Sequence, residues 1–177
     1  MLEALITSKT RVNLLLKFFL NSNNKGWLRS LETEFGESTN AIRLELNHLF
    51  KAGLLISMNE GNKKIYMANT KHPLYNDIHN LLFTHIGLDR IIDKVTSKLG
   101  DLEAVYLLGE LANGKNSDLI DLLFVGEQLD KKYLFSLIEK SEQKISRKVR
   151  YIILSNSELK EFLTSKSKDE LLLVWSV

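Results

Sequence analysis

The sequence predicts an α+β chain of two parts joined by helices, and three observations predict it. Apolar residues recur at three- and four-residue intervals through most of residues 8–53, the period of amphipathic helices. Directly after Gly53, two short runs rich in aliphatic and aromatic residues flank the turn-prone NEGN, as in a β-hairpin. Beyond residue 100 the segments EAVYLLG, LIDLLFVG and VRYIILS have β character, with a helical stretch between the last two, which describes a small α/β sheet. The expected division is 1–72, a helical connector over 73–99, and 100–177.

From Ser8 to Leu20, Val12, Leu15, Leu16 and Phe19 line one face of a first helix, and the polar run NSNNKG ends it. Trp27 or Leu28, Leu31 and Phe35 mark a short second helix that stops at Gly36. Ser38 or Thr39 caps a third, whose stripe Ile42, Leu46 and Leu49 continues until Gly53, a residue suited to a left-handed helix end. LLISM and KKIYM follow as a hairpin, with Gly61 and two asparagines tolerating positive φ between them. The order helix, helix, turn, helix, hairpin is that of a winged helix-turn-helix. SKTRVNLLLKFFL and STNAIRLELNHLFKAGLL together resemble the winged-helix repressors of the ArsR and MarR type, over roughly residues 5–70.

With Ile42, Leu46 and Leu49 turned inward, Thr39, Asn40, Arg43 and Asn47 face outward on the third helix. Arginine reads guanine edges and asparagine reads adenine edges in a major groove, and either can hold phosphate. Lys63 and Lys64 on the hairpin, with Asn59 and Asn62 at its tip, are placed to meet the DNA backbone. Glu37 and Glu45, on or near the same face, would oppose phosphate, and His48 is expected to pack beside Leu49. The charge balance agrees with an anionic partner for this part: residues 1–72 carry ten Lys or Arg against six Asp or Glu, and residues 73–177 carry fourteen against sixteen.

Pro73 sits where a helix can start, and Leu74, Ile78, Leu81, Leu82, Ile86, Ile91 and Val95 give the connector an apolar pattern. Leu81, Leu82, Ile86 and Ile91 exceed what a helix facing its own domain needs, so a homodimer through this region is expected, each copy reading one half-site. Helices are also expected over Lys131–Lys144 and near Glu158–Leu163.

The string YLLGELANGKNSDLIDLLFVG resembles the active-site motif of minimal nucleotidyltransferases of the DNA polymerase β superfamily, over about residues 100–155. That resemblance implies an α/β domain with a small mixed sheet, a Gly-Ser pair after the first strand, and a Ser-Asp-x-Asp strand whose carboxylates hold magnesium against a nucleoside triphosphate. This chain departs from the motif at several places. Gly109 is kept, but Glu110 replaces the serine. Asp118 and Asp121 are three apart rather than two, which on a regular strand puts them on opposite faces. Arg150 falls where the third carboxylate belongs, and a pair between Arg150 and Asp121 would substitute a fixed cation for the metal. Gly109, Glu110, Asp118, Asp121 and Arg150 are therefore expected to form a degenerate pocket, with no catalytic residue, no metal and no cofactor.

Composition narrows the classes further. Zero cysteines remove disulfides and thiolate metal sites, and His48, His72, His79 and His85 lack metal-binding spacing. No apolar run approaches the roughly 18 to 20 residues of a membrane span, which points to a cytoplasmic protein without a membrane partner. The sequence thus reads as a DNA-binding transcriptional regulator that is not an enzyme, binding duplex DNA, with no effector assigned. The alternatives are an active nucleotidyltransferase with a winged-helix targeting module, or a protein-interaction scaffold.

Overall fold

The computed structural model describes residues 2–165 and 171–177 as an α+β protein with eight α-helices and two small sheets among the described residues. It divides into two compact units, one running to His85 and including Gly114–Asn116, the other made of the remainder.

In the first unit Ser8 caps α1 (Lys9–Leu15), its hydroxyl accepting from the Arg11 amide at 3.1 Å, and the helix continues as a π turn through Leu16–Leu20. The sequence suggests one apolar stripe here. Leu14, Phe18 and Leu20 are nevertheless buried as fully as Val12, Leu16 and Phe19, so this segment is covered on every side. Helix α2 (Leu28–Phe35) ends on Gly36 in the left-handed region, φ 62°. Helix α3 (Thr39–Lys51) starts at Ser38, whose hydroxyl accepts from the Ala41 amide at 3.2 Å, and buries Ile42, Leu46 and Leu49.

Strands β1 (Leu55–Glu60) and β2 (Lys63–Ala68) pair antiparallel, leaving only Gly61 and Asn62 in the turn. Gly61 has φ 56° and no non-glycine residue among the described residues has positive φ, the pattern of a turn with glycine first. Asn59 is therefore not at the tip: it pairs with Lys64 inside the ladder. Gly26 and Tyr66 exchange both backbone hydrogen bonds, at 3.1 and 2.8 Å, adding a short third edge that NSNNKG does not signal. Helix α4 (Tyr75–Ile86) closes this part of the chain.

The second unit starts at Ile86, midway along the expected connector, and Gly87, φ 85°, separates α4 from α5 (Leu88–Lys98). It continues through β3 (Gly100–Leu108), the short α6 (Gly109–Ala112), β4 (Leu119–Leu129), α7 (Lys131–Glu142), β5 (Lys148–Leu154), α8 (Asn156–Ser165) and β6 (Leu171–Ser176). The sheet order is β5-β4-β3-β6, with β4 parallel to β5 and antiparallel to β3, and β6 antiparallel to β3. Strand β6 is absent from the sequence reading, because LLLVW lacks the alternation that marks a half-exposed strand. Ala104, Leu123 and Val125 form a core cluster on one side of the sheet, against which Leu159 and Phe162 of α8 pack. The residues offset by one on β4, Ile120, Leu122 and Phe124, are fully buried as well, so the strand is covered on both faces.

Candidate nucleic-acid interface and C-terminal pocket

Helix α3 separates its residues sharply. Asn40, Arg43 and Asn47 are exposed, Thr39 is half-buried, and Arg43 Nη1 donates to Asn40 Oδ1 at 3.2 Å. Glu45 does not share their face. It is buried, and its Oε2 accepts from Arg11 Nε of α1 at 2.7 Å. Burial pushes the Glu45 carboxyl up, but hydrogen bonds from Arg11 and the Ser8 hydroxyl, with the charges of Arg11 and His48, outweigh it and hold it below its ordinary value of 4.5. Glu37 has a cation beside it, Lys9 Nζ at 3.8 Å. His48 is exposed rather than packed, with Nδ1 3.8 Å from Glu45.

The wing lysines are held by aromatic faces. Lys63 Nζ lies 4.3 Å above the Trp27 ring, and Lys64 Nζ lies 4.3 Å above Phe50 and 5.2 Å above Tyr66. Phe50 belongs to α3, so Lys64 ties the wing to that helix. Asn62 is exposed at the turn. The sequence reading missed Leu44, which is 58% exposed between Arg43 and Asn47.

In the second unit a cavity of about 320 Å³ is lined by Gly109, Asp121, Arg150 and the apolar Leu108, Ile152, Phe162 and Leu171. The register of β4 against β5 sets Asp121 directly opposite Arg150. Arg150 Nε donates to Asp121 Oδ1 at 2.5 Å and Nη2 to Oδ2 at 2.9 Å, a two-pronged pair. Hydrogen bonding to Asp121, with its charge, raises the Arg150 guanidinium above its ordinary range. Asp118 lies outside β4 and is exposed, while its carbonyl accepts from the Lys148 amide at 2.8 Å, so strand alternation does not govern its direction. Glu110 is exposed on the first turn of α6.

The resemblance implies a magnesium pair held by carboxylates, and the residues present do not fit one. Both Asp121 oxygens are taken by Arg150, Asp118 precedes the strand, and no group of three His, Asp or Glu converges among the described residues.

No family model matches the chain, and no curated protein does. Solved structures do. Reduced HlyU from Vibrio cholerae N16961 is 18% identical with a TM-score of 0.38, over 47% of this chain and 82% of its own. A candidate nucleotidyltransferase from Sulfolobus solfataricus is 28% identical with a TM-score of 0.36, over 53% and 82%. A mutant form of the toxin–antitoxin pair MntA–HpeT is 18% identical with a TM-score of 0.40, over 51% and 72%. These neighbours, winged-helix regulators and nucleotidyltransferase-like proteins, match both parts of the chain. They also correct one expectation. With nucleotidyltransferase-like proteins among the neighbours, the reading of a chain that is not an enzyme does not stand, and the incomplete donor set is not evidence against a reaction.

Proposed function

We propose that the chain is a cytoplasmic DNA-binding transcriptional regulator that carries a nucleotidyltransferase-like unit. Helix α3 enters the major groove of duplex DNA with Asn40, Arg43 and Asn47, and Thr39 and the wing residues Asn62, Lys63 and Lys64 meet phosphates. Asn59, within β1, supports the wing from the ladder. The observation that carries this reading is the sorting of α3: its polar, uncharged and cationic residues face out, while Glu45, which would repel phosphate, is turned in and paired with Arg11. No helix among the described residues is long and apolar enough to cross a membrane.

A homodimer on two half-sites completes the proposal. The connector stripe offers little to such an interface, because Leu82, Ile86 and Ile91 are fully buried and only Leu81 of the four is exposed. Leu81 also lines an apolar groove with Leu49, Leu54 and Ile78, which offers a second copy a surface. Light scattering at tens of micromolar tests this, and a monomer there removes the two-half-site arrangement.

Selection from random duplexes tests the DNA reading. Arg43→Ala weakens binding to the selected site by about 1–3 kcal/mol if Arg43 reads a base, and Lys63→Ala weakens all duplexes alike with a salt slope smaller by about one. Selection that enriches no motif, with both variants unchanged, refutes it. A second reading, a nucleotidyltransferase targeted by its winged helix, draws on the pocket beside Gly109 and Asp121, and label transferred from a nucleoside triphosphate to any substrate would establish it.

A further inference from the structure

The outward face of α3 holds one residue that neither phosphate binding nor hydrogen bonding to bases explains. Leu44 is 58% exposed. At about 100° per residue it lies about 40° from Asn40 and about 60° from Asn47 around the helix, within the face that also carries Arg43. The other large exposed apolar residue of α3, Phe50, has its ring against Tyr66, 6.1 Å between centroids, and beneath Lys64. Leu44 is the more open of the two, 58% exposed against 38% for Phe50. A lone exposed leucine on an arbitrary surface needs no explanation. Its position within a face otherwise polar does, because taking this side chain out of water is favourable only where the docked surface meets it with an apolar group, a polar group there being left unpaired. In a major groove the apolar group is the thymine C5-methyl.

We propose that Leu44 is a specificity-determining residue that packs against a thymine methyl, flanked by base contacts from Arg43 and Asn47. The inference rests on the DNA reading above and adds to it the identity of one base in each half-site. Arg43 is already drawn toward Asn40 by their hydrogen bond, so the fork and the leucine present a fixed sequence of features along the groove: polar, apolar, polar. Loss of one methyl contact corresponds to about fourfold in affinity, the equivalent of one buried methylene.

The test uses the full chain and the selected duplex, with each thymine replaced singly by deoxyuridine, which lacks only the C5-methyl. One thymine per half-site is expected to show a loss of about fourfold in the wild type. Leu44→Ala, an exposed change to a strong helix former that leaves the fold intact, is expected to lose at least as much on the thymine duplex and to be indifferent to deoxyuridine at that position. Lys63→Ala should keep the wild-type methyl dependence while binding all duplexes less well. Duplex binding without methyl dependence, or methyl dependence that persists in Leu44→Ala, overturns the assignment of Leu44 and leaves the DNA reading standing. A chain that binds no duplex overturns both.

Discussion

Replacing Glu45 by glutamine preserves the side chain's size but removes the charge that Arg11 meets at 2.7 Å. The Glu45 side chain is 7% exposed and that of Arg11 40%, so the pair is shielded on one side and screened by water on the other. A hydrogen bond to a charged group contributes about 1.5–3 kcal/mol, and screening at Arg11 places this one toward the lower end, about 2 kcal/mol at pH 7. Since 1 kcal/mol moves the midpoint of a domain this size by about 4–8 °C, the variant should melt about 8–16 °C lower. The pH dependence has a definite sign. Glu45 titrates below 4.5 in the folded chain, so its stabilisation is complete above 4.5 and is lost as pH falls through the folded value. The gap between wild type and Glu45→Gln should therefore close on acidification. Two tryptophans, Trp27 in the first unit and Trp175 in the second, would mix two transitions, so the measurement is urea unfolding by fluorescence in a Trp175→Phe background. A variant within about 0.5 kcal/mol of wild type at pH 7, or a gap as large near pH 3 as at pH 7, would refute the reasoning.

Gly109 has φ +66°, and a Cβ there would stand 3.0 Å from Asp121 Oδ2, so Gly109→Ala should destabilise the second unit by about 1–2 kcal/mol, read from the Trp175 transition. Leu46→Ala, at a site 1% exposed, should lose about 2–5 kcal/mol, while Leu44→Ala, two positions away, should stay within about 0.5 kcal/mol in the same urea titration. Arg150→Met should lower the melting midpoint more than Asp121→Asn, because it strands the more buried charge: Asp121 is 16% exposed and Arg150 70%. The two together should be less than additive, and strictly additive midpoints would mean that the pair contributes nothing.

Periodicity carried most of the fold. The start of the first helix at Ser8, a cap for α3 at Ser38 or Thr39, the glycines that stop α2 and α3, and the strands β3, β4 and β5 are all visible as local patterns of a few residues. What escaped were features that depend on distant partners or lack contrast. The Gly26 bridge depends on Tyr66, forty residues later in the chain, and nothing near Gly26 marks it. Strand β6 is apolar throughout, so it has no alternation to detect. The connector splits because Gly87 takes a positive φ between two apolar stretches that, read together, look like one surplus stripe. Leu82, Ile86, Ile91 and Val95 are fully buried, while Leu74 and Leu81 stay exposed.

Glu45 shows why the site was harder to read than the fold. Its angle on α3 is about 40° from Leu49, on the inward side of the wheel, so its direction was present in the spacing. A carboxylate is turned outward by default because burying an unpaired charge costs several kcal/mol. The missing information was the partner: Arg11 lies 34 residues earlier, on a helix whose packing against α3 no local pattern specifies. Asp121 and Arg150, 29 residues apart, are within reach of sequence reasoning because a motif marks both strands, and the register of β4 against β5 sets the two residues opposite each other. Electrostatic sites become legible when an aligned pair of strands brings the partners together, and stay hidden when only helix packing does. By the same logic the face of α3 is a consequence of the Arg11–Glu45 pair. Without the guanidinium from α1, the inward carboxylate would be an unpaired buried charge, and relieving it would mean turning Glu45 toward the surface that Arg43 and Asn47 offer to phosphate.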